Sequence, residues 1–177
     1  MSEHISTPST GSWLRTLLSG QPHQIIHSEH GVYLHRTFLV PRNSWHNIYL
    51  HRFVGSDDPP ALHSHPWAFA TLILRGSYTE ITAGGTQWRG PGSVAFRRAG
   101  HRHRVQLHRD RQGREQPCVS IVITGRRSHQ WGFFCPRRDG TWRFIPWQNF
   151  GAGGCGEYGN PSDARRIDTE HLSDKRI

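Results

Sequence analysis

The chain has 177 residues and a formal charge of +9 at neutral pH, from 22 Lys plus Arg against 13 Asp plus Glu. This length predicts one domain, large enough to bury a core. Nineteen Gly and eleven Pro favour the many turns of an all-β chain. No apolar run approaches the roughly 18 residues of a membrane-spanning helix, so no membrane partner is expected.

The positive charge comes almost entirely from arginine, because Lys175 is the only lysine. Seven of the arginines lie in the stretch from Arg97 to Arg114. Guanidinium groups bind carboxylates and phosphates, so this pattern predicts a small anionic substrate, or weak nucleic-acid binding through Arg97–Arg114. A solvated basic hairpin, or the base composition of the genome, would produce the same pattern.

The three cysteines, Cys118, Cys135 and Cys155, are odd in number and show no CxxC spacing. A disulfide framework is therefore not expected, and the thiols favour a reducing compartment. The N-terminal residues lack the basic and then apolar layout of a secretory signal. Together these features predict a cytoplasmic protein in which Cys135 and Cys155 are ordinary buried thiols.

The N-terminal region predicts disorder followed by one short helix. Residues 1–11 are polar and show no periodicity. A helix is expected over Trp13–Leu18, with Ser12 as its N-cap and Gly20 at its end.

Runs of β-branched and aromatic residues, separated by turn residues, predict the strands. In chain order, the expected strands are two within residues 23–40, then Asn47–Val54, Thr71–Leu74, Ser77–Thr82, Val119–Thr124, Trp131–Cys135 and Thr141–Ile145. Hairpin turns are expected at Glu29–Gly31, Ala83–Thr86 and Arg138–Gly140. Residues 151–177 are Gly-rich and then charged, which predicts an irregular tail.

Two histidines, His63 and His65, are separated by a single residue. Side chains alternate between the faces of a β-strand, so residues i and i+2 point the same way. Two imidazoles on one face can converge on one metal ion. Short HxH segments also arise by chance in a chain with 14 His, so this pair alone leaves the question open.

A second stretch offers more histidines to the same pocket. His101, His103, Val105 and Leu107 alternate with Arg102, Arg104 and Gln106. This period of two predicts a strand with imidazole and apolar groups on one face and charged groups on the other. Three inward imidazoles without a metal would each need another partner, since an unpaired buried polar group costs about 1–3 kcal/mol.

These two stretches resemble the two sequence motifs of the cupin superfamily, over roughly residues 45–125. His63, His65 and Gly76 match the first motif, whereas Gly92, Gly100 and His103 fall in register with the second. The resemblance implies a single-domain all-β fold over residues 12–150, the double-stranded β-helix or jelly-roll barrel, with a short N-terminal helix. The chain departs from the motifs by replacing Glu with Phe69, the first Gly with Asp57, Pro with Arg98 and Asn with Leu107.

The resemblance implies that His63, His65 and His103 bind one divalent metal ion, with His101 as an alternative third ligand. Imidazole suits Fe, Zn, Ni and Cu, so the donors alone leave the metal open, and Mn is also compatible with the fold. Thiol-dioxygenase cupins are similar in using three histidines without the Glu. This likeness favours Fe(II) and a mononuclear non-haem iron dioxygenase-type enzyme that acts on a small anionic substrate.

Several alternatives remain open. The barrel could be a non-enzymatic binding module for an anionic small molecule or nucleic acid, or a metal-free epimerase that needs a His–Asp pair. Trp67 and Phe69 are expected to wall the pocket. His51 shares a strand face with Tyr49 and Phe53, and either enters the pocket or lies at the surface. A homodimer is a further expectation.

Overall fold

A computed structural model describes residues 10–28, 31–150 and Cys155. The described chain forms one helix, twelve strands and a short 3-10 turn at Trp147–Asn149. In chain order the elements are α1 Thr10–Leu18, β1 Gln24–Ser28, β2 Gly31–Phe38, β3 Asn47–Phe53, β4 Leu62–Ser64, β5 Phe69–Arg75, β6 Tyr78–Thr82, β7 Gly85–Arg89, β8 Val94–Arg97, β9 His103–Leu107, β10 Cys118–Thr124, β11 Gly132–Pro136 and β12 Trp142–Pro146.

The strands form two antiparallel sheets of six strands each. The first sheet has the order β1-β2-β3-β10-β5-β8, and the second has the order β12-β11-β4-β9-β6-β7. Strands that follow one another in sequence often lie in different sheets, so the chain passes back and forth between them. This arrangement of two facing sheets is the predicted double-stranded β-helix.

Apolar side chains from the inner faces of both sheets make the core. One cluster joins Ile73 of the first sheet to Tyr78, Val105 and Leu107 of the second, around the fully buried Cys118. A second cluster contains Phe38, Tyr49, Phe69 and Val122, with Trp13 of α1 packed against it. Burial of large side chains stabilises such a core by roughly 1.5–3 kcal/mol for each residue, before the loss of chain entropy is counted.

The predicted strands are all present, with ends that differ by a few residues. Of the turn expected at Glu29–Gly31, the first two residues lie outside the described part of the chain, although Ser28 and Gly31 pair as a hairpin requires. The run Thr71–Leu74 is buried on one face only, since Ile73 is 1 % exposed and Leu74 is 45 % exposed. The helix begins at Thr10, so Ser12 lies inside it and is not the N-cap.

Gly20 ends this helix as predicted, with a positive φ of 71°. No helix among residues 10–28 and 31–150 is long and apolar enough to cross a membrane. Disorder was predicted for residues 1–11, which is wrong for Thr10 and Gly11 because both lie in α1. Residues 1–9 lie outside the described residues, and so does the irregular tail predicted for residues 151–177, apart from Cys155.

Gly76 explains why the first motif ends in glycine. Its φ is +74°, and a Cβ at this position would lie 2.3 Å from the carbonyl oxygen of Pro117. Both the backbone angle and the close approach exclude other residues from this turn between β5 and β6.

The expectation of three free thiols is wrong. Cys135 on β11 and Cys155 form a disulfide, whereas Cys118 is a buried free thiol. The sequence shows no sign of this pair, because the two cysteines have a sequence separation of 20 and only the fold brings them together. The cysteine argument for a reducing compartment therefore no longer holds, and the cytoplasmic location stays a prediction.

Candidate metal centre

The fold brings His63, His65 and His103 together in the second sheet. His63 on β4 lies directly opposite His103 on β9. His65 follows the end of β4, yet its Nε2 atom lies 3.0 Å from Nε2 of His103. One ring nitrogen from each of the three histidines lies within 4.8 Å of the other two. This His triad is the group of side chains that both sequence motifs predicted.

A carboxylate lies at the Nδ1 side of two triad histidines. Oε1 of Glu80 is 3.1 Å from Nδ1 of His103, and Oδ2 of Asp57 is 3.7 Å from Nδ1 of His63. A carboxylate accepts hydrogen bonds only, so Glu80 favours the tautomer of His103 with the proton on Nδ1, whereas Asp57 lies beyond hydrogen-bond distance of His63 and acts on it through charge. The Nε2 lone pair is then left for a metal ion, as in the carboxylate–histidine pairs of known metal sites.

Glu80 is held in its ionised form by basic groups. Nε of Arg89 lies 3.0 Å and Nε of Arg97 lies 2.8 Å from its oxygens. Burial raises the pKa of the Glu80 carboxyl, but hydrogen bonds from His103 and Arg97 outweigh burial and hold that pKa well below its usual range. The buried charge therefore has the partners that such a group requires.

Asp57 is anchored from two directions. It accepts hydrogen bonds from the Tyr33 hydroxyl and from the backbone N–H of Val105. These contacts tie the loop before β4 to β9, which fixes the carboxylate beside His63. The residue stands where the cupin motif has glycine, and here it supports the triad.

Two of the triad histidines, His63 and His65, are suited to remain neutral. Burial lowers the pKa of His65 well below its ordinary value, and the neighbouring His63 and His103 lower it further. Burial also lowers the pKa of His63, although Asp57 opposes this effect. Metal ions bind the neutral imidazole, so burial keeps these ligands in the form that binds.

The three histidines fit the divalent metal that the cupin fold implies. They offer borderline nitrogen donors from a cluster that is buried or half-buried, and His103 has a carboxylate hydrogen-bonded at its other ring nitrogen. This donor set suits Fe(II), Zn, Ni or Cu, and it does not discriminate among them. Metal binding by this group stays a prediction.

His101 does not belong to the triad. It lies before β9 rather than on it, and its Nε2 atom is 3.9 Å from Glu80, beyond hydrogen-bond distance. On the face of β9 that was predicted to carry charged groups, Arg104 is only 6 % exposed. His101 is therefore placed beside the triad, next to His103.

A cavity of about 450 Å³, lined by residues of both sheets, contains the triad. Trp67 and Phe69 line it as expected, and His51 of β3 enters it from the opposite sheet. Nε2 of His51 accepts a hydrogen bond of 2.9 Å from Nε of Arg36. Tyr49 stacks on His51 with 5.5 Å between ring centroids, and the Arg36 guanidinium lies 5.0 Å above the Tyr49 ring.

The arginines of the Arg97–Arg114 stretch do not share one exposed surface. Arg97 is bonded to Glu80, and Arg102 lies over the rings of Phe134 and Trp142. Four arginines of the stretch are exposed: Arg98, Arg109, Arg111 and Arg114. Two of these form exposed ion pairs within their own loop.

Sequence reasoning missed Glu80 and Asp57. Glu80 was part of a predicted strand, but nothing in its own neighbourhood connects it to His103. The contact arises because β6 and β9 pair with Glu80 opposite Val105. The departure of Asp57 from the glycine of the motif was the available signal, since a carboxylate at that position invites a partner.

No protein-family model and no curated protein matches the chain. Among solved structures, the polyketide cyclase RemF from Streptomyces resistomycificus is similar, with 18 % identity and a TM-score of 0.48 over 60 % of this chain and 74 % of that chain. A double-stranded β-helix protein from Klebsiella pneumoniae is 12 % identical, with a TM-score of 0.44 over 75 % and 97 % of the two chains. A cupin domain from Bordetella pertussis is 16 % identical, with a TM-score of 0.40 over 53 % and 94 %.

At such identities a structural likeness concerns the fold alone. The internal evidence is the order of the strands in two facing sheets, with histidines from both motifs meeting in the cavity. Gly76 also occupies the turn that the first motif requires. The chain thus has the double-stranded β-helix fold of the cupin superfamily.

Proposed function

We propose that this protein is a metal-dependent enzyme of the mononuclear non-haem iron dioxygenase type, which acts on a small anionic substrate. The observation that carries the proposal is the His triad in the wall of the cavity, where the Glu80 carboxylate at Nδ1 of His103 leaves the Nε2 atom of that ring for a metal. A purely structural polar cluster would have no need of a cavity beside it.

His63, His65 and His103 would hold the ion, and no carboxylate would bind it directly. Phe69 stands where other cupins supply Glu, and its ring lies 4.8 Å from that of His65. When bound, Fe(II) would supply the one-electron chemistry that reactions of O2 require. The apolar ring of Phe69 would exclude water from that side of the triad, while Glu80 and Asp57 hold the histidines in place.

Arginine side chains in the cavity support an anionic substrate. Arg36, Arg42 and Arg127 all line it. The Nε and Nη1 atoms of Arg36 are positioned by His51 and Gln24, at 2.9 and 3.3 Å. A guanidinium held in this way is suited to orient a carboxylate or phosphate with little loss of side-chain entropy.

Oxygen consumption tests the proposal. Protein loaded anaerobically with Fe(II) would be mixed with small thiol and aromatic carboxylic acids, and O2 uptake followed with an electrode. We expect uptake that depends on both the acid and Fe(II), and that is absent from the His103→Ala variant. Tight binding of an acid without any uptake of O2 would instead support the binding-module alternative.

A further inference from the structure

One side of the cavity is a continuous aromatic surface. Trp131 precedes β11, Phe133 lies on β11, and Trp147 follows β12; we call these three residues the aromatic wall. All three line the cavity. Trp131 and Trp147 stack with 5.3 Å between centroids, and Trp131 lies 6.3 Å from Phe133.

The aromatic wall begins at the His triad. Phe133 pairs across the sheet with His63, and their rings meet edge to face at 6.1 Å. Phe150 stacks on Phe133 at 4.0 Å, which fixes the ring from behind. A ligand that reaches the triad therefore lies against this wall.

The wall is not explained by core packing. Trp131, Phe133 and Trp147 remain partly accessible, whereas the buried core clusters lie elsewhere between the sheets. The neighbouring Phe134 points to the other face of β11, where it packs on Phe144 and Arg102. The strand thus carries aromatic rings on both faces, and only the inner set faces the cavity.

Trp131 also holds an unused hydrogen-bond donor. Its indole Nε1 atom is buried, and it has no hydrogen-bond partner in the part of the chain that the structure describes. A buried donor without a partner costs about 1–3 kcal/mol, which an acceptor on a ligand would offset. The donor and the ring faces belong to one residue of the cavity lining.

We propose that the aromatic wall binds a flat aromatic ring of the substrate, so that the substrate class is a small aromatic acid. Ring stacking on Trp131 and Phe133 would orient the aromatic part, and the cavity arginines would bind the acid group. The inference rests on the proposed function, because it names the substrate class of that same cavity.

Benzoate and cyclohexanecarboxylate are matched probes, since they share carbon skeleton and charge and differ in aromaticity. Binding of each would be measured by titration calorimetry with metal-free protein, so that chelation does not contribute. Aromatic pairs add to the burial of area, so we expect benzoate to bind roughly two- to tenfold more tightly. Equal or tighter binding of cyclohexanecarboxylate, or binding of neither probe, would overturn the inference.

Variants locate the effect at the wall. Trp131→Leu should abolish the preference for benzoate. Trp131→Phe, a smaller change that keeps a ring, should retain the preference. Trp88→Leu is the control, because Trp88 on β7 is 61 % exposed and does not line the cavity. A preference that survives in Trp131→Leu contradicts the inference.

Metal uptake, measured on the same proteins after incubation with Fe(II), separates the two proposals. Preference for benzoate in a protein that takes up no metal would support binding of an aromatic ring at the wall and contradict the proposed iron enzyme. Metal uptake without a preference for benzoate would contradict the role of the aromatic wall and leave the proposed metal site supported.

Discussion

Two buried histidines on opposite sides of one cavity have opposite partners. His103 in the second sheet has the Glu80 carboxylate at Nδ1, at 3.1 Å. His51 in the first sheet has the Arg36 guanidinium at Nε2, at 2.9 Å. Both side chains are less than 10 % exposed, so burial alone does not distinguish them.

The partner decides what each ring can do. An acceptor at Nδ1 leaves the Nε2 lone pair of His103 for a metal, together with the nearby His65. Arginine only donates hydrogen bonds, so it occupies the Nε2 lone pair of His51. His103 is therefore suited to bind a cation, whereas His51 is suited to hold Arg36 for an anion.

The largest expected effect is the loss of metal binding when a triad histidine is replaced. Single replacement of His63, His65 or His103 by Ala should abolish binding of one Co²⁺ per chain, because two imidazoles make a much weaker site. His51→Ala should keep full stoichiometry, and so should His108→Ala outside the triad. Absorption titration with Co²⁺ measures this, and metal loss in His51→Ala would contradict the contrast drawn between the two histidines.

Glu80→Gln sharpens the comparison by weakening the partner of His103 without removing a ligand. We expect metal affinity to fall about 10–100-fold at unchanged stoichiometry, as is usual when the partner of a ligating histidine is lost. Competition with a chelator of known affinity measures the change.

Asp139→Asn is the matched control for that variant, since Asp139 is an exposed carboxylate bonded within its own loop. Its metal affinity should stay unchanged. Equal affinities in Glu80→Gln and the unmodified protein would show that Glu80 serves only to pair the arginines.

The pH dependence of the free energy of unfolding tests whether His51 stays neutral beside Arg36. Burial, and then Arg36, lowers the pKa of His51 well below its ordinary value of 6.5. A histidine whose folded pKa is depressed binds fewer protons when folded, so the free energy of unfolding falls as pH drops below 6.5. Burial depresses the pKa of His63 and His65 as well, and all three contribute in this window.

His51→Gln should therefore make the free energy of unfolding of the metal-free protein depend less on pH between 7.5 and roughly 5.5. Urea unfolding at several pH values measures the slope. His46→Gln, in an exposed loop, should leave the slope unchanged. An unaltered slope in His51→Gln would mean that this ring is readily protonated in the folded protein.

The smallest effect concerns nucleic acid. Replacement of Arg109, Arg111 and Arg114 by Ser should weaken DNA binding at low salt and reduce its salt dependence, if such binding occurs at this loop. At physiological ionic strength, screening over about 8 Å should remove most binding in both proteins. Arg137→Ser with Arg138→Ser removes exposed charge elsewhere, and an equal loss there would show a non-specific charge effect.

The sequence predicted those features that depend on local spacing. Alternation along strands placed His63 and His103 on inward faces, and the glycine of the first motif marked the turn at Gly76. The triad could be named because its members come from two short segments with a regular period.

Features that depend on pairing between distant strands could not be predicted. Glu80 meets His103 across β6 and β9, and Cys135 meets Cys155 at a sequence separation of 20. The helix start at Thr10 differed from the expected one because Ser12 resembles an N-cap in sequence whether or not the helix begins there. The aromatic wall likewise depends on which face of β11 turns inward.

The metal content of the purified protein tests the central claim most directly. Protein prepared without chelator and without a nickel-affinity step would be analysed for Fe, Zn, Mn, Ni and Cu, then reanalysed after incubation with Fe(II). The account predicts about one divalent ion per chain in total. Each of the three single variants of the triad should hold no stoichiometric metal. A protein that holds no stoichiometric metal after incubation, with the triad intact, would contradict it.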